Sequence, residues 1–351
     1  MAEDAAARNA ADERKGSARS VLVTGGAGYL GSQLVARLAA ERGELETLVS
    51  MDLRPVPEAE RLPGVRYASG DIRAPGIEDL LREHAVDTVV HLAAIVTPGK
   101  NDSRAFLHSI DVGGTENVVK ACVSAGVRRF IVTSSGAAYG YHADNPVPLR
   151  EDDPLRGNPE FAYSDHKRQV EAFLAAERVA HPELEQVVFR PGTILGDTVQ
   201  NQISALFEGA FVLGIRGAAT PFVFIWDQDV VGCLVEAVRG GPAGIYNVAG
   251  DGVVTLAEIA ERIGKPLIRL PAWLIRGALG LLHPLGLSQY GPEQVDFLRY
   301  RPVLSNERLK SVFGYEPRMS SREVFEFYWR HRVSRVASGA RSASASGQAA
   351  G

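Results

Sequence analysis

The feature that most constrains this chain is a glycine-rich turn, Thr24-Gly25-Gly26-Ala27-Gly28-Tyr29-Leu30-Gly31, set between an apolar run and a helical pattern. Ser20–Thr24 reads as a buried strand. Leu30, Leu34, Val35 and Leu38 then recur at helical spacing as far as Gly43. At such a junction Gly25 can turn tightly, Gly28 lets backbone approach a bound group, and Gly31 lets helix and strand pack closely. Unpaired N–H groups at the helix start favour an anion, as the pyrophosphate of a dinucleotide requires.

The segments that follow repeat the alternation. Leu48–Met51, Val65–Tyr67, Thr88–Leu92, Phe130–Thr133 and Val187–Phe189 are short apolar runs. Helical patterns occupy Ile77–His84, Arg104–Ala125 and Tyr163–Ala180. Fully apolar strands alternating with helices predict an α/β fold with a doubly wound parallel sheet of Rossmann type. Residues 20–190 are expected to form the dinucleotide domain, with 227–250 returning to it. Residues 191–226 and 251–333 then make a smaller, mostly helical substrate domain. Met1 to Ser20, rich in Ala, Asp, Glu and Arg, lacks the apolar run of a secretory signal and reads as a disordered lead-in through residue 19. Residues 334–351, Ser, Ala and Gly with scattered Arg, read as a disordered tail.

Charge excludes some functions. With 38 basic and 42 acidic residues well mixed, the net charge is −4, and no basic stripe or acidic block points to nucleic acid or a charged membrane. The apolar stretch Leu270–Leu287 is broken by Pro271, Arg276, Gly277, Gly280, Pro284 and Gly286, so no membrane span is expected. It reads as domain packing, with a hydrophobic lid or a wall for a lipophilic substrate as the other use. A cytoplasmic protein with inert buried thiols at Cys122 and Cys233 is the resulting expectation.

Asp52 ends the second strand, 21 residues beyond Gly31. A carboxylate there accepts both ribose hydroxyls of NAD and repels a 2′-phosphate, which makes NAD the expected cofactor over NADP. Arg54 nearby works against that choice. Tyr163 and Lys167 stand one helical turn apart. A free phenol titrates near pH 10, and an ammonium beside it, with a positive nicotinamide ring, is expected to lower that value and make Tyr163 a proton carrier. Ser135, just past the Phe130–Ser134 strand, can hold the substrate oxygen.

With these residues in view, the chain resembles the extended short-chain dehydrogenases/reductases, in the NAD-dependent epimerase/dehydratase branch, over roughly Ser20 to Gly250. Asp71-Ile72, His91-Leu92-Ala93-Ala94, the stretch from Phe130 to Gly140, and Arg190-Pro191-Gly192 carry the likeness further. The resemblance implies adenine beside Asp71 and Ile72, and phosphates and nicotinamide ribose along Leu92, Ala93 and Ala94. It also implies contacts from Tyr29, Leu30 and Lys167 to the cofactor, and Pro191 beside the nicotinamide. Ser135 rather than Ser134 becomes the catalytic serine, and a homodimer through Arg104–Ala125 and Tyr163–Ala180 is expected.

Departures narrow the reading. Gly136-Ala137 stands where the branch's dehydratases carry Asp-Glu, which argues against sugar dehydration. Thr193, a substrate-binding candidate, replaces the asparagine usual in nucleotide-sugar epimerases. Thr220-Pro221-Phe222 lacks their diphosphate-binding arginine, for which Arg216 could substitute. Asp111 stands where asparagine is common and receives no role. His166 reads as a helix-surface residue, His91 as structural, and Asp229 as a cap or turn residue. No metal site is expected. The residues favour an oxidoreductase that transfers hydride at a secondary alcohol or ketone of a small molecule. A UDP-sugar 4-epimerase is the alternative, and a non-catalytic NAD-sensing scaffold the third.

Overall fold

Seven of the short apolar runs pair into one parallel sheet in the computed structural model, which describes residues 16–99, 102–199, 202–282, 285 and 291–348. Its strands are β1 (Ser20–Thr24), β2 (Thr47–Asp52), β3 (Val65–Ser69), β4 (Thr88–His91), β5 (Arg129–Thr133), β6 (Glu185–Pro191) and, late in the chain, β11 (Gly244–Val248). The spatial order is β11-β6-β5-β4-β1-β2-β3. Alternate residues of β1 serve opposite faces. Val21 and Val23 pack with Leu34 and Leu38 of α1 (Tyr29–Ala40). Leu22 packs with Leu81 of α2 (Ile77–Glu83), Val118, and Leu174 of the long helix before β6. Each such fully buried side chain contributes roughly 1.5–3 kcal/mol.

The segment expected as one helix over Arg104–Ala125 is α3 (Arg104–His108) and α4 (Thr115–Ala125) joined by a π-helical turn, Ser109–Gly114. That turn carries Asp111 inward. The next helix, α5 (Ala162–Ala180), bears Tyr163 and Lys167. Because β1 has β2 on one side and β4 on the other, connections diverge at its carboxyl end and leave a crevice there.

Three two-stranded pieces stand beyond that crevice. In chain order their strands are β7 (Thr193–Leu195), β8 (Val212–Ile215), β9 (Pro221–Phe222), β10 (Phe224–Trp226), β12 (Val254–Thr255) and β13 (Leu267–Leu270). β7 pairs with β10, β8 with β13 and β9 with β12. Val223 separates β9 from β10, and both strands stay outside the main sheet. Between these strands lie α6 (Asp227–Val238) and α7 (Leu256–Arg262), and α8 (Ala272–Leu282) and α9 (Gln294–Arg299) follow β13. Asp229 sits in the first turn of α6, but its carboxylate accepts from Tyr315 Oη at 3.0 Å and Arg318 N at 3.1 Å, tying the helix to the C-terminal segment.

Some expectations change here. Order begins before residue 20: Ala18 is buried and its N–H donates to Val238 O. Residues 1–15 lie outside the described residues. The final helix, α10 (Ser321–Gln348), carries on through the segment expected as a disordered tail from residue 334. Its Ser and Gly are poor helix formers, but helix already formed upstream removes the nucleation cost. Within the described part of the Leu270–Leu287 stretch, Leu270, Ala272 and Leu279 pack beside Ile215 and Val295, so packing accounts for one side of it. Ile275 is buried, whereas Trp273, Leu274, Leu281 and Leu285 are exposed.

Candidate active site

The glycine turn has no room for side chains. A Cβ on Gly25 would lie 2.7 Å from Ala93 N, and one on Gly31 2.0 Å from Gly25 O. Gly25 also has φ +72°, in the left-handed region that glycine tolerates. Gly28, the N-cap of α1, makes no side-chain cap bond, so the first amides of a twelve-residue helix face the crevice. This is a cradle built for a dinucleotide's phosphates.

A cavity of about 570 Å³ opens from it, within the range of ligand sites. Its walls include Gly25, Gly28, Tyr29, Leu30, Gly31, Leu92, Ala94, Ser135, Tyr163, Lys167, Pro191 and Thr193, so most of the expected site residues converge. Others stand back from this wall. Ala93 backs Gly25. Asp52 lines a small neighbouring recess with Arg54, accepting from Ala27 N at 3.0 Å and Arg54 N at 3.0 Å. Asp71 is bound by the Arg73 guanidinium, which holds its carboxyl below the ordinary value, and Ile72 packs under Gly114.

Ser135 caps the short turn Gly136–Tyr139, with Oγ accepting from Ala137 N at 3.1 Å. Its neighbour Ser134 donates instead to Glu171 at 2.5 Å, inside a buried pair with Arg190. That separates the two serines by role. Arg190 also donates to Tyr139 Oη and Glu151 O, fixing the end of β6 and hence Pro191. Removing one partner of such a pair costs about 3–5 kcal/mol. Behind Gly136 stands Leu304, whose Cδ1 would be 2.9 Å from an added Cβ. A dehydratase's aspartate there would have to displace the buried Leu304 side chain.

The Tyr163 phenol is pushed above its ordinary value by burial, with Ser135 opposing through a hydrogen bond and the Asp111 carboxylate adding to the rise. Lys167 Nζ lies 5.8 Å from the Tyr163 ring centroid and donates to Thr133 O at 3.0 Å. Burial lowers the lysine itself, against Asp111 and Glu171.

His166 is not a surface residue. It is buried, with Nδ1 3.1 Å from Asp111 Oδ2, while Asp111 Oδ1 accepts from Ile95 N. His91 bridges Thr24 Oγ1 at 2.7 Å and Thr115 Oγ1 at 3.1 Å, and burial pushes its pKa down to about 3. It is a neutral structural linker. No metal-holding cluster occurs among the described residues, and both cysteines are buried.

The far wall was not foreseen. Tyr141, Phe161, Phe297, Val199 and Ile203 line it together with Arg301. The Arg301 guanidinium lies 4.3 Å from the Phe222 ring centroid and 4.9 Å from that of Phe297. Nη2 donates to Thr193 Oγ1 at 2.9 Å, but Nε and Nη1 are buried without a partner among the described residues. Burial lowers this arginine to about 10. No signal in Tyr300-Arg301-Pro302 separates it from the chain's other basic residues. Arg216, the expected substitute cation, is exposed at the end of β8 and does not line the cavity.

Comparison with known proteins agrees with this geometry. A sequence model of the NAD dependent epimerase/dehydratase family matches residues 21–249. A UDP-glucose 4-epimerase of Mycolicibacterium smegmatis is 30% identical over 320 residues, covering 86% of this chain and 95% of its own. An uncharacterized protein of Mycobacterium tuberculosis is 28% identical over 315 residues, covering 89% and 84%. Among solved structures, MoeE5 in complex with UDP-glucuronic acid and NAD superposes with a TM-score of 0.67 at 25% identity, over 90% of this chain and 99% of that one.

Proposed function

The chain belongs to the NAD dependent epimerase/dehydratase family, and from that premise we propose that it inverts a secondary alcohol of a nucleotide sugar, as a 4-epimerase. The observation that carries this reading is Arg301. A buried cation lacking an acidic partner is costly unless a ligand supplies one. It stacks on Phe222, in the very segment where the sequence lacks the arginine usual for diphosphate binding. The sequence reading placed plain dehydrogenation first. Arg301 and the names of the relatives reverse that order.

In this proposal the adenosine ribose meets Asp52, the adenine lies towards Asp71 and Ile72, and the pyrophosphate rests on the α1 amides. Bound NAD supplies the hydride acceptor, and its positive ring adds to Lys167 in drawing the Tyr163 phenol down from its buried value. Ser135 fixes the reacting sugar oxygen, and Tyr163 Oη takes its proton and returns it. Lys167, anchored at Thr133 O, also holds the nicotinamide ribose. Thr193 and Arg301 hold the diphosphate side of the substrate. A homodimer through α3, α4 and α5 and a cytoplasmic location complete the proposal; Phe106 on α3 and Val179 on α5 are exposed apolar residues on those helices.

The test is incubation of NAD-loaded protein with UDP-glucose, followed by separation of the sugar nucleotides and monitoring of nicotinamide absorbance. UDP-galactose with flat absorbance is the expected result. Stoichiometric NADH with an oxidised sugar would instead show a dehydrogenase.

A further inference from the structure

One buried titratable pair takes no part in the chemistry proposed above. Asp111 and His166 are only 5% and 1% exposed. The π-helical turn Ser109–Gly114 carries Asp111 inward, and His166 stands on α5 immediately before Lys167. Asp111 Oδ1 accepts from Ile95 N at 3.0 Å, next in the chain to Ala94 of the cavity wall. Asp111 Oδ2 meets His166 Nδ1 at 3.1 Å and has no other donor among the described residues. The pair therefore lies directly behind the residues that handle the proton.

The contacts decide which atoms carry hydrogen. An ionised carboxylate only accepts, so Nδ1 holds the hydrogen of that contact. His166 Nε2 is buried without a partner among the described residues. A second proton there would make a buried donor with no acceptor, which favours the neutral ring. The couple then holds one net negative charge. Its other neighbours do not cancel that charge. His91 on β4 stays neutral. His108 on α3, whose ring centroid is 5.3 Å from that of His166, is exposed and bonded to Gln169 Oε1. Asp165 pairs with Arg104 and Arg168, and Glu171 with Arg190. The Asp111 carboxylate is thus left to act on Tyr163 and Lys167, and it raises both.

We propose that His166 is a positioning residue acting through Asp111: its Nδ1–H fixes the carboxylate and offsets part of its charge, so that Tyr163 and Lys167 meet a weakened anion. This role rests on Tyr163 being the proton carrier proposed above. A bare carboxylate behind the wall would hold the phenol proton more tightly, because a nearby anion disfavours the phenolate. The helix supplies the remedy by adjacency. Lys167 reaches Thr133 O, while the residue before it turns to Asp111.

The experiment is an ultraviolet titration of tyrosinate in the full chain loaded with NAD, read as the difference between each protein and its Tyr163→Phe counterpart. It needs no substrate, so a wrong sugar leaves it decidable. His166→Leu should move the Tyr163 titration up by about half a pH unit, with circular dichroism unchanged. His166→Gln, whose amide extends past the Nδ1 position, should do the same. His166→Asn, whose amide nitrogen occupies that position, should titrate with the parent. In an Asp111→Asn background all three changes should be silent. Should the leucine variant not fold, the contrast between Gln and Asn decides. An unmoved or lowered titration in His166→Leu overturns the proposal, as does a shift that survives Asp111→Asn, or an Asn variant that shifts with the Gln one. A Tyr163 that releases no proton in any of these proteins removes the proton carrier, and this role of His166 with it.

Discussion

The two walls of the cavity are built on different principles. The wall beneath β1 and α1 is backbone: Gly25, Gly28 and Gly31 present amides, and their missing side chains are the functional feature. The opposite wall is side chain: Tyr141, Phe161, Phe297 and Arg301 reach inward from three separate stretches of the chain. A backbone wall is specified by a few contiguous residues and serves one ligand chemistry, phosphate. A side-chain wall can be rewritten without disturbing the sheet. Cofactor chemistry is thus fixed by one wall, and substrate choice is free to change on the other.

Four substitutions sharpen or break this division. The largest effect is expected at the chemistry between the walls. Tyr163→Phe should lower kcat by roughly a thousandfold, the middle of the range for a lost acid–base group, with NAD affinity intact by fluorescence titration. Unchanged turnover would remove Tyr163 from the mechanism. Next comes the backbone wall. Gly31→Ala puts a methyl 2.0 Å from Gly25 O, and this overpacking should cost about 2 kcal/mol or more of stability and weaken NAD binding, both read in a thermal melt with and without cofactor. A fully stable, NAD-binding variant would mean the turn tolerates side chains after all.

A smaller and opposite pattern is expected on the side-chain wall. Arg301→Met removes an uncompensated buried charge, so the ligand-free melting temperature should hold or rise. Substrate KM should increase roughly thirtyfold, corresponding to about 2 kcal/mol for a lost charged hydrogen bond, while NAD affinity stays level. A drop in stability with unaltered KM would make Arg301 structural. The smallest effect belongs to Asp111→Asn. Its carboxylate raises Tyr163 and Lys167, so neutralising it lowers both. The rise of kcat/KM with pH, which follows the Tyr163 phenolate in the direction of alcohol oxidation, should move to lower pH. A profile that stays in place would show that Asp111 only orders Ile95 and His166.

The same division explains what was legible. The parallel sheet, the glycine turn, the Tyr163–Lys167 pair and Ser135 could be read because each is a local pattern whose spacing already implies its geometry. His166 could not. Its partner Asp111 is 55 positions away and turned inward by a π-helical segment that residue spacing does not announce. Nor could spacing show that burial, which depends on the whole fold, raises the cofactor-free Tyr163 phenol.

By itself, then, the sequence determined the kind of sheet, the glycine turn and the grouping of Ser135, Tyr163 and Lys167 proposed as the catalytic trio, because adjacent residues, helical turns and strand ends obey short-range geometry. Tertiary structure alone decided that Arg301, 108 residues from Thr193, donates to it and stacks on Phe222. It also decided that α8 packs Ile275 and Leu279 inward while Trp273 and Leu281 stay exposed. Those outcomes depend on long-range packing, in which any of many basic or apolar residues could have taken the position, and only the folded chain selects one.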